Sequence, residues 1–180
     1  MTQVPASAPT CSIQATLDIV GDRWSLLILR DLFRGVRRFS AMQHDLGIAR
    51  NMLADRLSRL TESGVVAKVP YQQRPIRYDY VLTPKGLDLS GSLLALMRWG
   101  DSWCQDGDAP TVLVHADCGT PLEVATRCPC CDETVSPTRI RNRQPNPGEN
   151  LAATHEPARR STEPGRSQDR NCRNPNGGVS

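Results

Sequence analysis

The segment FSAMQHDLGIARNMLADRLSRLTESG, residues 39–64, limits the fold more narrowly than any other part of the chain. Ser40, followed three residues later by Gln43, forms the capping-box pattern that opens a helix, and Gly47 is typical of a residue that ends one. A second run of helical spacing begins at about residue 49 and continues to the end of the segment. The segment therefore predicts two helices joined by a tight turn, which is the helix-turn-helix arrangement.

The second of these predicted helices is amphipathic. Leu53, Leu57 and Leu60 follow the i, i+4, i+7 spacing of a buried face. The opposite face is polar in its N-terminal half, where Arg50 and Asn51 lie, so this end of the helix could enter a DNA major groove. Arginine pairs with guanine and asparagine with adenine through two hydrogen bonds each, so these two side chains are predicted to meet base edges.

The flanking segments extend this arrangement into a winged helix. In SIQATLDIVGDRWSLLILRDLFRG, Gly21 ends a first helix and Asp22 caps a second. After residue 64 the repeat of apolar residues is no longer that of a helix. The segment VVAKVPYQQRPIRYDYVLT predicts a β-hairpin around QQRPIR. Thr83 and Pro84 then open a long helix, as an N-cap and a proline in the first turn. The predicted fold is mainly α with a small β-hairpin wing (α+β), a winged helix-turn-helix.

Basic residues are concentrated in this part of the chain. Residues 34–77 contain nine basic and three acidic residues, whereas the net charge of the whole chain is only +3. A local excess of positive charge is typical of a face that binds a polyanion, so double-stranded DNA is the predicted partner. Arginines before the third helix and on the wing are expected to contact phosphates or the minor groove. The predicted interface consists of Arg37, Arg38, Ser40, Ala49, Arg50, Asn51, Met52, Arg56, Arg74 and Arg77.

Composition divides the chain into four parts. A flexible leader is expected over residues 1–10, the winged helix over 11–106, and a small appendage rich in cysteine over 110–142. Residues 143–180 are rich in Pro, Gly, Asn, Ser and charge, which predicts a disordered tail. Because no signal-peptide pattern and no apolar stretch of about 18–20 residues is present, we expect a cytoplasmic protein with no membrane partner.

The appendage contains the spacing of a metal site. His115 and Cys118 are separated by two residues, and so are Cys128 and Cys131. Zinc binds four nitrogen or sulfur ligands in a tetrahedron, so these four residues are predicted to hold one zinc ion. Three alternatives remain open: free thiols, a partly lost metal site, and a redox pair, although the thioredoxin-like βαβ setting of such a pair is missing.

From Cys11 to about Cys104 the sequence resembles the HxlR family of bacterial winged-helix transcription regulators. The matching segments are IQATLDIVGDRWSLLILRDLFRG, RRFSAM, GIARNMLADRLSRLTESGVV and PIRYDYVLTPKG. The resemblance implies a homodimer, joined through the first and last helices, on a palindromic operator. In the family a serine often precedes the second helix of the helix-turn-helix, but this chain has Ala49, so the usual cap is missing.

Cys11 lies just before the first predicted helix, where some relatives in the family carry a thiol that senses oxidants or electrophiles. A helix N-terminus lowers the pKa of a thiol, so a reactive thiolate is chemically reasonable at this position. The alternative interpretation is a small, half-buried apolar residue.

The sequence thus favours a dimeric, sequence-specific DNA-binding transcriptional regulator without catalytic activity, which would also act as a thiol-based redox sensor if Cys11 responds to oxidants. A zinc-dependent protein-interaction module built on a winged helix is the second hypothesis, because winged helices also bind proteins. A thiol oxidoreductase that uses the CPCC run is the third hypothesis.

Overall fold

The computed structural model describes residues 11–107 and 109–143. The chain divides into one unit that ends at Asp106 and a second that begins at Gly107. The predicted leader, residues 1–10, and all of the predicted tail beyond residue 143 lie outside the described residues. None of the helices in the described part of the chain is both long enough and apolar enough to cross a lipid bilayer.

The first unit has the predicted fold class, mainly α with one antiparallel hairpin. Its elements are α1 (Ser12–Val20), α2 (Arg23–Phe33), α3 (Phe39–Leu46), α4 (Arg50–Glu62), β1 (Val66–Gln73), β2 (Ile76–Leu82), α5 (Pro84–Leu87) and α6 (Ser90–Trp103).

The core forms around α2, which contacts α3, α4, α6 and β2. On α4, the predicted stripe of Leu53, Leu57 and Leu60 is fully buried, which confirms the inward face of this helix. Ile28 and Leu29 of α2 are equally inaccessible to solvent. Burial of side chains of this size stabilises the fold by roughly 1.5–3 kcal/mol each, so the inward faces of α2 and α4 contribute substantially to the stability of this unit.

Two helix starts follow local signals in the sequence. The carboxylate of Asp22 accepts hydrogen bonds from the backbone N–H groups of Trp24 at 3.0 Å and Ser25 at 3.1 Å, which confirms it as the cap of α2. The hydroxyl of Thr83 accepts the backbone N–H of Gly86 at 3.2 Å and caps α5. Such side-chain caps contribute about 1 kcal/mol each, because they satisfy N–H groups that have no partner within the helix.

The predicted capping box at Ser40 is wrong. Helix α3 begins one residue earlier, at Phe39, and its cap position is Arg38, whose side chain makes no capping hydrogen bond. The reason is a long-range contact: Arg38 forms a β-bridge with Asp79, and the N–H of Tyr80 donates to the carbonyl of Arg37 at 2.8 Å. This pairing with the hairpin holds the backbone extended up to the helix and fixes where α3 starts.

The predicted single long helix after the hairpin is also wrong in part. It consists of the short α5 and the longer α6, joined by a turn in which the N–H of Leu89 donates to the carbonyl of Gly86 at 3.2 Å. Gly86 is buried, and a Cβ atom at this position would lie 2.3 Å from the carbonyl oxygen of Val65. Because α5 is held so closely against the start of the hairpin, the chain turns before α6 begins.

The second unit is irregular. Its described residues contain two isolated β-bridges, Val114 with Pro121 and Arg127 with Thr134, and one 3₁₀ turn at Pro137–Arg139. Every described residue from 109 to 143 is exposed except Cys128 and Val135, which are partly exposed. This part of the chain therefore has no buried apolar core among its described residues.

We expect Gly86→Ala to lower the free energy of unfolding by about 1–3 kcal/mol, because the added methyl group must displace the Val65 carbonyl. Gly91→Ala is the matched control, because nothing lies within 4 Å of the Cβ position there. The control is expected to be neutral or slightly stabilising, since alanine favours a helix. Urea denaturation of both variants checks this; equal stabilities would contradict the close contact.

Candidate nucleic-acid interface

The turn between α3 and α4 presents the first turn of α4 to solvent. Gly47 has a left-handed backbone, with φ of 60°, and its N–H donates to the carbonyl of His44 at 3.3 Å. Helix α4 begins after Ala49, which supplies no side-chain cap, as its sequence suggests. The side-chain oxygen of Asn51 accepts the N–H of Met52 at 2.9 Å, so a residue of the helix itself satisfies one N–H group of the first turn.

The polar end of α4 carries exposed side chains. Arg50, Asn51 and Met52 are all exposed, and the guanidinium of Arg50 lies 5.4 Å from the centre of the Phe39 ring. This cation–π contact joins α3 to the start of α4 and limits the directions in which Arg50 extends. The helix N-terminus adds a partial positive charge, so this end of α4 is suited to approach an anionic backbone.

Arg56 was predicted to contact DNA, but the structure places it differently from Arg50 and Asn51. Only 20% of its side chain is exposed, and its Nε atom lies 3.2 Å from the Asp22 carboxylate. Burial raises the pKa of Asp22, but the hydrogen bonds from Ser25 and Trp24 and the charge of Arg56 outweigh it and hold the pKa below its usual value. Arg56 therefore links α4 to the cap of α2.

Arg37 and Arg38 precede α3 and lie beside the hairpin, and both are exposed. The Nε atom of Arg38 is 3.9 Å from the Asp79 carboxylate, and its guanidinium lies 4.9 Å from the centre of the Tyr71 ring. With 66% of its side chain exposed, Arg38 is still able to donate to a ligand. The two arginines extend the basic surface from α4 towards the wing.

The tip of the wing is also basic. Arg74 and Arg77 are exposed, and the pair Gln73 and Ile76 closes the hairpin around Arg74 and Pro75. The side-chain amide of Gln72 donates to the carbonyl of Arg74 at 3.1 Å, which orders the turn.

Two residues of this surface were not predicted. Lys68 is exposed on β1, with its ammonium group 4.2 Å from the centre of the Tyr78 ring. Tyr71 occupies an irregularity in the strand register, between Pro70 and Gln72, and meets Arg38. Alternation along the strand could have identified Lys68, but a shift in strand register has no clear signal in the sequence.

Ser40 lies in an open depression between α3 and the turn that follows it, which is lined by Ser40, Gln43, His44, Gly47 and Ile48. Ser40 is exposed in the first turn of α3, where backbone N–H groups have no partner within the helix. Its predicted contact with DNA is therefore sterically open, although it is not the cap of the helix.

Cys11 occupies the cap position of α1 and is exposed. The backbone N–H groups of Gln14 and Ile13 face the thiol and lower the pKa of Cys11, although the sulfur makes no regular capping hydrogen bond. This environment favours the thiolate, which is the reactive form of cysteine.

The four predicted zinc ligands form two close pairs. The Nδ1 atom of His115 lies 3.2 Å from the sulfur of Cys118. The backbone N–H groups of Cys131 and Cys130 and the side chain of Cys131 lower the pKa of Cys128. The Thr120 hydroxyl and N–H, together with His115, lower the pKa of Cys118 to about 7. Within residues 11–107 and 109–143, no three His, Cys, Asp or Glu side chains converge at metal-binding distance.

Comparison with known proteins agrees with this geometry. The family model described as HxlR-like helix-turn-helix matches residues 19–108. The uncharacterized HTH-type transcriptional regulator Rv3095 of Mycobacterium tuberculosis is 40% identical over 143 residues, which cover 79% of this chain and 89% of the relative.

Two solved structures are also similar. PA1607, described as a candidate transcription factor, is 34% identical with a TM-score of 0.69, covering 76% of this chain and 96% of that one. A candidate transcription factor of Pseudomonas aeruginosa, PA1374, is 36% identical with a TM-score of 0.57, covering 79% of this chain and 97% of that one. These likenesses extend beyond the 90 residues of the family match, since each covers about three quarters of this chain.

Proposed function

Because the chain belongs to the HxlR-like helix-turn-helix family of transcriptional regulators, we propose that it acts as a homodimer that reads a palindromic DNA operator. The observation that carries the proposal is the exposed basic surface formed by the start of α4, the segment before α3 and the wing. Its relatives are transcriptional regulators, and the chain is accordingly a DNA-binding regulator and not an enzyme, which removes the thiol oxidoreductase hypothesis.

The basic surface divides into two functional parts. Arg50 and Asn51 stand at the exposed end of α4, where side chains of a helix in the major groove reach base edges. Arg74 and Arg77 at the wing tip, like Arg37 before α3, are suited to phosphates, which position the protein without reading sequence. We infer that α4 gives specificity and that the wing gives affinity.

The homodimer is supported by apolar faces that the first unit leaves exposed. On α1, Ile13 is 70% exposed and Leu17 57%, at i, i+4 spacing. On α6, Leu96 is 54% exposed, Trp99 62% and Trp103 76%, and none of its residues is buried. Two exposed tryptophans on one helix are unusual for a monomer and typical of an interface.

A second copy of this chain is the proposed occupant of these faces. A two-fold dimer uses the same patch of both subunits, so α1 and α6 can each contribute to a self-complementary contact. Two-fold symmetry also sets the form of the operator, because two symmetry-related α4 helices read two half-sites in opposite orientation.

Alanine substitutions should separate the two parts of the DNA surface. We expect Arg50→Ala and Asn51→Ala to reduce discrimination between operator and altered operator by about 1–3 kcal/mol each, because each removes a paired contact with a base. Arg74→Ala should weaken binding similarly for all sequences and lower the slope of log affinity against log salt by about one unit. Fluorescence anisotropy over a range of salt concentrations measures both effects.

Arg59→Ala is the matched control on the same helix, since Arg59 is already paired with Asp55 at 3.2 Å. Its effect on affinity should be smaller than that of Arg74→Ala. A change of preferred sequence in Arg74→Ala would reverse the assigned roles. If no salt-dependent binding of the chain to DNA were measured, the protein-interaction module would become the better hypothesis.

Placing a charge on α6 should break the dimer. We expect Trp99→Lys to convert a dimer into a monomer in analytical ultracentrifugation and to weaken binding to a palindromic site, because the lysine ammonium would be desolvated at the interface. Leu87→Lys is the control, since Leu87 is 51% exposed on α5 and lies outside both faces. A monomeric unmodified protein, or a dimeric Trp99→Lys variant, would contradict the proposed interface.

The environment of Cys11 supports a regulatory role for this thiol in addition to DNA binding. Its exposed thiol has a lowered pKa and lies at the start of α1, which carries part of the proposed dimer face. We propose that oxidation at Cys11 changes DNA binding. The cytoplasmic location remains a prediction, consistent with a DNA partner.

Treatment of the reduced protein with a mild oxidant such as diamide tests the role of Cys11. DNA binding by the unmodified chain should change, whereas Cys11→Ser should be insensitive and Cys104→Ser, which removes another exposed thiol, should respond normally. An equal response of Cys11→Ser and the unmodified chain would exclude Cys11 as the sensor.

A further inference from the structure

The second unit contains two turns with the same backbone structure, thirteen residues apart. We call residues 115–120 the first turn and residues 128–133 the second turn. Each turn lies inside an isolated β-bridge, Val114 with Pro121 in the first and Arg127 with Thr134 in the second. The fifth residue of each turn is left-handed: Gly119 has φ of 70°, and Asp132 has φ of 56°.

The hydrogen bonds of the two turns correspond one to one. In the first turn, the N–H of His115 donates to Thr120 at 2.9 Å, and the N–H of Gly119 donates to His115 at 2.8 Å. In the second turn, Cys128 donates to Glu133 at 3.0 Å, and Asp132 donates to Cys128 at 2.9 Å.

A third hydrogen bond outside each bridge completes the equivalence. The N–H of Leu122 donates to Leu113 at 2.8 Å, and the N–H of Val135 donates to Thr126 at 2.7 Å. The three hydrogen bonds, the bridge and the left-handed residue of the first turn thus all recur thirteen residues later in the second turn. The side chains that can bind a metal also recur at the same places. The first and fourth residues are His115 and Cys118 in the first turn and Cys128 and Cys131 in the second turn.

The described residues of this unit, 109–143, are stabilised by something other than apolar burial. None of its described residues from 109 to 143 is buried, so its hydrophobic contribution is small. A small segment without an apolar core usually requires a disulfide or a bound metal to fold, and Cys130 in the second turn is disulfide-bonded. The free thiols of the two turns are those of Cys118, Cys128 and Cys131, and together with the His115 imidazole they have the chemistry that zinc prefers.

The geometry within each turn suits a shared cation. In a tetrahedral zinc site with bonds of about 2.3 Å to sulfur and 2.0–2.1 Å to nitrogen, neighbouring ligand atoms are about 3.5 Å apart. The 3.2 Å between Nδ1 of His115 and the sulfur of Cys118 is close to this spacing.

We propose that the two turns are the two halves of one structural zinc site, in which His115, Cys118, Cys128 and Cys131 bind a single Zn²⁺ ion. Each turn supplies two neighbouring ligand atoms. The two pairs do not converge among the described residues, so binding of the ion also brings the two turns together, giving a tetrahedron of three thiolates and one imidazole. Binding releases the protons of the thiols that are still protonated, since zinc binds the thiolate form. Four protein ligands leave no open position, so the site is structural and not catalytic.

Metal content and cobalt substitution of the full-length chain test the proposal. Protein purified from zinc-supplemented cells should contain about one zinc per chain. After removal of zinc, one equivalent of Co²⁺ should give the intense visible bands of a tetrahedral site and thiolate-to-cobalt absorption. Chelation should expose three further thiols, those of Cys118, Cys128 and Cys131, to a thiol reagent.

Substitutions within one turn provide the matched control. Cys131→Ser and Cys118→Ser should lose zinc, whereas Cys130→Ser, one residue away in the second turn, should retain it. Loss of zinc from Cys130→Ser with retention by Cys131→Ser would overturn the assignment of ligands. If a variant fails to fold, the cobalt spectrum of the unmodified chain decides. A zinc-free unmodified protein that gives no tetrahedral cobalt spectrum overturns the site, whatever its DNA affinity.

Discussion

Burial of the leucine face of α4 against α2 is the contact on which the functional surface depends. Successive residues of a helix are rotated by about 100°, so once Leu53, Leu57 and Leu60 face inward, the direction of every other side chain on α4 is fixed. Arg50 and Asn51 are consequently exposed, and the contacts of Arg50 with Phe39 and of Asn51 with the Met52 N–H only refine their directions. The same packing creates the partly buried position that Arg56 fills with an ion pair to Asp22.

Features of the fold that depend on neighbouring residues could be predicted from the sequence, and features that depend on distant residues could not. The Asp22 and Thr83 caps were predicted correctly because the residues that define them lie within one helical turn. The start of α3 was predicted wrongly because the hairpin, some forty residues later, determines it through the bridge of Arg38 with Asp79.

The same limit applies to the candidate sites. The exposed arginines of α4 and the wing follow from helical and strand periodicity, but the burial of Arg56 depends on the position of α2, and the role of Tyr71 depends on strand register. The spacing of His115, Cys118, Cys128 and Cys131 was evident, whereas the equivalence of their turns was not. When HADCGT is aligned with CPCCDE, only one cysteine is identical. The two turns are therefore equivalent in backbone structure although their amino-acid sequences differ.

The ion pair between Arg56 and Asp22 has a mechanical consequence. Asp22 lies immediately after Gly21, where α1 ends, and its carboxylate both caps α2 and contacts α4. A rotation of α1 about this junction would shift the carboxylate and, through it, the middle of α4. Asp22 therefore connects the end of α1 to the middle of α4 through a single carboxylate.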